Sequence, residues 1–285
     1  MTTDKAQAPM SAGRILVLLD GSRLSLAALE AAAEIAAARN ADVVGIFVEE
    51  INLLRTAGYG FAQEVGGSSG LARPLKMAAL EARMRVLAEQ ARRSLQQTMD
   101  RRGLTQTLML CRGQVAEEVL NLMQPDDLVV LGRVGRSCVL GTQLGSTARV
   151  LLRQAPGEVL LWTEPRPQHQ HRVVVLLNHD QVGNQRAIRV AAELARRNKQ
   201  PLSVLLRSKS EDEQTQVQAI LTYLQGEGVA ARIKSIATAS ASAVIRAVQE
   251  EDASQLVVSR TSSIFADQSA EALLSELNLP ITVTP

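Results

Sequence analysis

The chain has 285 residues, with 31 basic and 29 acidic side chains for a net charge of +2, and is 46% hydrophobic but only 2% aromatic. That length suits one large domain or two ordinary ones with real cores, while the balanced charge and scarce aromatics argue against a nucleic-acid surface. Two cysteines (Cys111, Cys138) are too few for a disulfide framework, Met1 to Ala12 has no apolar signal core, and no apolar run approaches the roughly 18 residues of a membrane span, so a soluble cytoplasmic protein is expected.

The first apolar run, Ile15–Leu19, is rich in β-branched and aliphatic residues and predicts a strand buried on both faces. Asp20-Gly21-Ser22 reads as a turn and helix entry, and Leu24–Arg39, rich in alanine, as a helix. Val43–Val48 predicts a second strand. Ile51 to Lys76 contains Gly58, Gly60, Gly66, Gly67 and Gly70, so mostly loop is expected there, in a position that would suit a lid. Leu75–Arg102 predicts a long helix stopped at Gly103. Its arginines (Arg83, Arg85, Arg92, Arg93, Arg101, Arg102) are interleaved with Glu81, Glu89 and Asp100 and read as a solvated face. There follow a strand at Gln106–Cys111, a helix at Val115–Met123, a strand at Leu128–Leu131, a helix at Ser146–Gln154 and a strand at Val159–Trp162. Such alternation implies a parallel sheet covered by helices on both faces, with right-handed connections. Ligands of these sheets sit beyond the carboxyl ends of the strands, where the strand order reverses.

The pattern then repeats. Arg14-Ile-Leu-Val-Leu-Leu-Asp20 resembles Arg172-Val-Val-Val-Leu-Leu-Asn178, and Ala33-Glu-Ile-Ala36 resembles Ala192-Glu-Leu-Ala195. Val115–Val119 before Leu128-Val-Val130 has its partner in Ala243–Ala247 before Leu256-Val-Val258. The polar stretch Glu164-Pro-Arg-Pro-Gln-His-Gln-His171 reads as the linker, which predicts domains at 13–163 and 171–285. The first strands are 158 residues apart and the later ones 128, so the second copy lacks about 30 residues, mostly those of Ile51 to Lys76.

One segment points at a ligand. Leu128-Val-Val-Leu131 runs into Gly132-Arg-Val-Gly135, then nine residues, then Gly145-Ser146-Thr147 at a helix start. Glycine permits positive φ and close approach of a backbone, and a helix N-terminus favours an anion. Asp20 ends a strand on the same side of the sheet, as a ligand residue or as a cap. Ser146 suits either an N-cap or a phosphate contact, and Arg133 and Arg136 either charged donors to phosphate or solvated loop positions. Cys138 has no evident activating neighbour beyond arginine, and His169 and His171 lack further metal ligands nearby.

These residues resemble the universal stress protein family, specifically its tandem-domain members. The resemblance rests on Ile15-Leu-Val-Leu-Leu-Asp20-Gly21-Ser22, on the spacing of Gly132, Gly135, Gly145 and Ser146, and on the last strand in Gly157-Glu-Val-Leu-Leu161. It implies an α/β fold of two tandem flavodoxin-like or Rossmann-like doubly wound domains, each with a five-stranded parallel sheet. It also implies ATP, or else AMP or ADP, at the strand ends, with Mg2+ as an accompanying ion. Carried over, Asp20 matches the acidic residue near the adenine-ribose end and Val48 the residue that contacts the base through its backbone. Gly132, Gly135, Gly145 and Ser146, with Arg133 and Thr147 beside them, match the phosphate and ribose loop. Arg133 and Val134 depart from the polar pair of many members. In the family the last strands of two domains pair, which selects Val159–Trp162 and Ile281–Val283 for contact within the chain, with a homodimer as a further level of assembly and no nucleic-acid or membrane partner.

The second copy departs more. Asn178 replaces Asp20, and Ser259-Arg-Thr-Ser-Ser-Ile-Phe-Ala-Asp267 contains no glycine, so no nucleotide site is expected there. The first copy contains no histidine, which excludes a Ser-His-Asp hydrolase within it. A stress-response or regulatory module with one adenine-nucleotide site per chain follows, against two alternatives: a nucleotide-free scaffold of the same fold that binds another protein, or a slow ATP hydrolase.

Overall fold

A computed structural model describes residues 13–66, 69–135, 144–163, 172–178, 180–207, 212–236, 240–265 and 269–285. The first half runs β1 (Ile15–Leu18), α1 (Arg23–Arg39), β2 (Val43–Glu50), α2 (Ile51–Ala57), β3 (Gln63–Val65), β4 (Ala72–Pro74), α3 (Met77–Asp100), β5 (Gln106–Gly113), α4 (Val115–Leu122), β6 (Leu128–Gly132), α5 (Ser146–Gln154) and β7 (Glu158–Trp162). The second runs β8 (Arg172–Leu176), α6 (Gln181–Asn198), β9 (Leu202–Arg207), α7 (Asp212–Gly226), β10 (Ala231–Ile236), α8 (Ala241–Glu250), β11 (Ala253–Ser259), a 3-10 turn at Ser263–Phe265, α9 (Ser269–Glu276) and β12 (Ile281–Thr284).

Ten strands form one sheet in the order β10-β9-β8-β11-β12-β7-β6-β1-β2-β5. Within each half all neighbours are parallel, and each half, counted alone, has the order third, second, first, fourth, fifth. The halves meet where β12 pairs antiparallel with β7, Ile281 opposite Leu161 and Val283 opposite Val159. The chain thus carries two doubly wound units whose last strands close on each other.

The apolar runs are buried on both faces, as parallel strands require. In β1, Ile15 and Val17 pack into the layer beneath α1 and α3, while Leu16 faces the layer beneath α4 and α5. That second layer continues without a break from Leu16 and Leu161 to Val174, Leu273 and Val283, so the two halves share one core. Ala28, Ala32 and Ala36, four residues apart on α1, are fully buried and let the helix lie close on the sheet.

The insertion differs from the loop expected of it. The run before Gly58 forms α2, whose Leu54 and Ala57 pack on Leu80 and Met84 of α3. Beyond it β3 and β4 make a small antiparallel hairpin, with Gly70 at φ +64 and its amide on the Gly66 carbonyl at 2.8 Å. The glycines punctuate only the end of the helix and the hairpin, and the apolar residues between them were enough for a satellite cluster. Gly103 ends α3 as expected, at φ +63.

Candidate functional site

A cleft of about 690 Å3 opens beyond the carboxyl ends of β1, β2 and β6, at the point where the chain order reverses between β1 and β6. Asp20, Val48, Gly132, Arg133, Gly135, Gly145, Ser146 and Thr147 all line it.

Asp20 is held by its own turn. The Ser22 amide donates to Asp20 Oδ1 at 2.9 Å across Gly21, which sits at φ 75, and Ser22 Oγ caps α1 by accepting from the Ser25 amide at 3.1 Å. The second carboxylate oxygen lies against the loop: a Cβ on Gly135 would stand 3.1 Å from Asp20 Oδ2. Val48 presents its backbone to the cleft. The Ile46 carbonyl accepts from the Leu19 amide at 2.9 Å, alternate carbonyls of a strand share an edge, and β1 has ended by the level of Val48.

The reason for the loop glycines differs from the one expected. None of Gly132, Gly135 and Gly145 has positive φ; among described glycines only Gly21, Gly70, Gly103 and Gly228 do. Gly132 is required by packing, since a Cβ there would approach Leu24 Cβ to 3.0 Å. Gly145 has φ −68, and among the described residues a Cβ there would meet only ordinary contacts at 3.6 Å and beyond. What the missing side chain does is leave the start of α5 open toward the cleft. Gly145, not Ser146, is the N-cap; Ser146 is the first helical residue, and among the described residues no side chain caps the helix. A nine-residue helix therefore offers first-turn amides and its positive dipole end to the cleft.

Arg133 corrects the expectation of a phosphate donor. Its backbone lines the cleft, but its guanidinium crosses to the second half and donates to the carbonyls of Leu274 at 2.9 Å and Leu277 at 2.7 Å, at the end of α9. Helix-terminal carbonyls lack intrahelical donors, and this cation satisfies two of them. Burial pulls its pKa below the ordinary arginine value. Arg136, Cys138, His169 and His171 lie outside the described residues. Cys111, expected as a buried strand residue, is half-buried on β5, and burial, with Glu118 adding to it, raises its thiol pKa.

The outer wall was not anticipated. Leu80, Arg83, Met84 and Leu87 of α3 line the cleft, with Asn52 and Leu53 of α2. Arg83 is paired with Glu64 of the hairpin at 2.9 Å, which ties the insertion to this wall. The spacing Leu80, Met84, Leu87 is a helical stripe and was readable; the flanking arginines drew attention to the opposite, solvated face.

At the corresponding end of the second half, described side chains bond across the strand ends. Asn178 Nδ2 donates to Thr261 Oγ1 at 3.1 Å, and Ser259 and Thr261 hydroxyls lie 2.8 Å apart. A Cβ on Gly183 would stand 2.5 Å from Ser259 Oγ and 2.9 Å from Thr261 Oγ1. Arg260 repeats the Arg133 arrangement in reverse, donating to the carbonyls of Leu152 at 2.7 Å, Ala155, and Gly157 at 3.2 Å, at the end of α5. Among the described residues no three metal-ligating side chains cluster, and no helix is long and apolar enough to cross a membrane.

A model of the universal stress protein family matches residues 12–162. Universal stress protein Rv1996 of Mycobacterium tuberculosis is 29% identical over 168 residues, which are 58% of this chain and 53% of that protein. The chain therefore spans about half the length of the curated relatives it matches. Among solved structures, a universal stress protein from Archaeoglobus fulgidus matches at a TM-score of 0.71 and 14% identity, with 96% of each chain covered. A functionally unknown protein, PA1789 from Pseudomonas aeruginosa, matches at a TM-score of 0.61 and 18% identity, covering 96% of this chain and 92% of that one. With its doubly wound halves, its strand-end cleft and a family match over more than half its length, the chain belongs to the universal stress protein family.

Proposed function

We propose that the first half binds one adenine nucleotide, ATP in the first place, and that the chain is a nucleotide-responsive regulatory protein rather than a dedicated enzyme. One observation carries this: Asp20, the backbone edge at Val48, Gly135 and Gly145, and the start of α5 converge on a single cleft at the strand switch. The anion-favouring helix start suits the phosphates, Asp20 suits ribose hydroxyls, and the apolar stripe of Leu80, Met84 and Leu87 suits a base. Mg2+ that arrives with ATP would be held chiefly by the phosphates. The cleft lining includes no histidine, and the chain's three histidines all lie at or beyond the linker. The Asn178–Thr261 contact at the strand ends of the second half, and the absence of glycine from 259–267, support one site per chain.

The test uses the Gly145 geometry. Because a Cβ there meets no close atom among the described residues, Gly145→Val is expected to fold and to obstruct the cleft, which its melting temperature without nucleotide checks. Nucleotide released on denaturation is identified by mass spectrometry, and melting is followed against added ATP. Wild type at about a hundredfold excess of ATP over Kd should gain about 2.7 kcal/mol, and Gly145→Val should gain nothing. Wild type with neither bound nucleotide nor ATP-dependent stabilisation would overturn the proposal.

A further inference from the structure

Two arginines cross between the halves at the phosphate side of the cleft, Arg133 outward from its loop and Arg260 inward onto the end of α5. Arg133 follows Gly132 directly, and its guanidinium is anchored on the end of α9. Arg260, from the second half, grips the carbonyls at the end of α5. Their backbones match as well: the Arg133 amide donates to the Trp162 carbonyl at 3.0 Å and the Arg260 amide to the Thr284 carbonyl at 2.8 Å. The resemblance is asymmetric in consequence. Gly145 N–H donates to the Arg133 carbonyl at 3.0 Å, so Arg133 also supports the first glycine loop against the start of α5. Arg260 has no glycine loop on its own side to support.

We infer that the second half is a positioning element for the nucleotide site, with Arg133 the residue that couples the glycine loop to α9. The inference rests on the nucleotide reading above. A ligand held against the Gly132–Gly135 backbone thereby favours the docked arrangement of α9, and a disturbance at α9 reaches that backbone through the Arg133 side chain as well as through the shared core. Coupling of this kind is reciprocal, so ATP must tighten α9 to the same degree that docked α9 tightens ATP. Arg133 is a positioning residue here: its guanidinium is committed to the carbonyls at the end of α9.

The experiment uses the full chain. ATP affinity is measured by calorimetric titration for wild type, Arg133→Ala, Arg133→Lys and Arg39→Ala, with melting temperatures alongside. Arg39 also bridges the halves, to Glu193 at 2.8 Å, but from the end of α1 and hence the opposite end of the sheet. Arg133→Ala should bind ATP about tenfold more weakly. Arg133→Lys should recover part of the loss, since one ammonium cannot reproduce the planar fork on two carbonyls. Arg39→Ala should lose stability and keep wild-type affinity. A merely structural Arg133 would lower the melting temperature in both alanine variants and change affinity in neither. Hydrogen exchange on wild type supplies a readout that needs no variant to fold: ATP should slow exchange in the last turn of α9. Wild-type affinity in Arg133→Ala, or ATP binding with α9 exchange unmoved, overturns the inference. Failure of wild type to bind ATP is seen separately, in the first titration, and removes the nucleotide reading itself.

Discussion

If the core is continuous across the β7–β12 seam, a cut on the second half's side must unfold the first half with it. Ile281 tests this. It is 1% exposed, pairs with Leu161 across the seam, and belongs to the apolar layer shared by both halves. Ile281→Ala removes three buried carbons, at about 0.8 kcal/mol each or about 2.4 kcal/mol. Neighbours from two sheet halves cannot fully collapse into the gap, which brings the expected loss to about 3–4 kcal/mol. The single tryptophan, Trp162, lies at the end of β7 and reports on the first half, while far-ultraviolet circular dichroism reports on the whole chain. In urea, both signals should shift to a lower midpoint together with an unchanged slope. A variant in which the dichroism splits into two transitions while the Trp162 midpoint stays put would refute the reasoning.

Two more expectations concern charge. Burial pushes the Glu251 carboxyl up, but hydrogen bonds from Ser203 and Arg232, with Lys234 close by, outweigh it and hold its pKa below the ordinary glutamate value. A lowered folded pKa means the contribution is complete above the unfolded pKa of about 4.3 and is lost as pH falls through the folded one. Glu251→Gln should therefore destabilise the chain at neutral pH and flatten the acid limb of a pH-stability curve; an unchanged acid limb contradicts this. Arg39→Ala leaves Glu158, whose pKa burial already raises, without its main counter-charge. The penalty should be about 1–3 kcal/mol at neutral pH, and it should shrink as acid neutralises the carboxyl; a pH-independent loss would count against the assignment.

Much of the fold was legible because its signals are local and repeated. Ile15–Leu18 and Arg172–Leu176 carry the same apolar run, and both become first strands flanked by helices. The cleft lining was legible as a set, since the strand-glycine-helix order places Gly132, Gly135 and Gly145 near Asp20 whatever the details. The unread parts depend on distant partners. Nothing near Arg133 in sequence announces the end of α9, more than a hundred residues away, so a loop arginine looks like a phosphate donor. Glycine count made the insertion look irregular, although Leu54 and Ala57 needed only Leu80 and Met84 to settle α2 as a helix. Of the two properties expected of the loop glycines, positive φ is not used at Gly132, Gly135 or Gly145.

The antiparallel seam also decides how the chain can meet its own kind. Because β7 and β12 satisfy each other, the strand edge through which two separate domains would join is already consumed. The exposed margins of the ten-stranded sheet are β5 and β10. On β10, Arg232 and Lys234 carry charge along the margin, a feature that discourages strand addition. On the insertion, Tyr59 and Phe61 stack in the open at a ring separation of 5.5 Å. By joining its halves, the chain has exchanged an assembly that depends on concentration for one that does not.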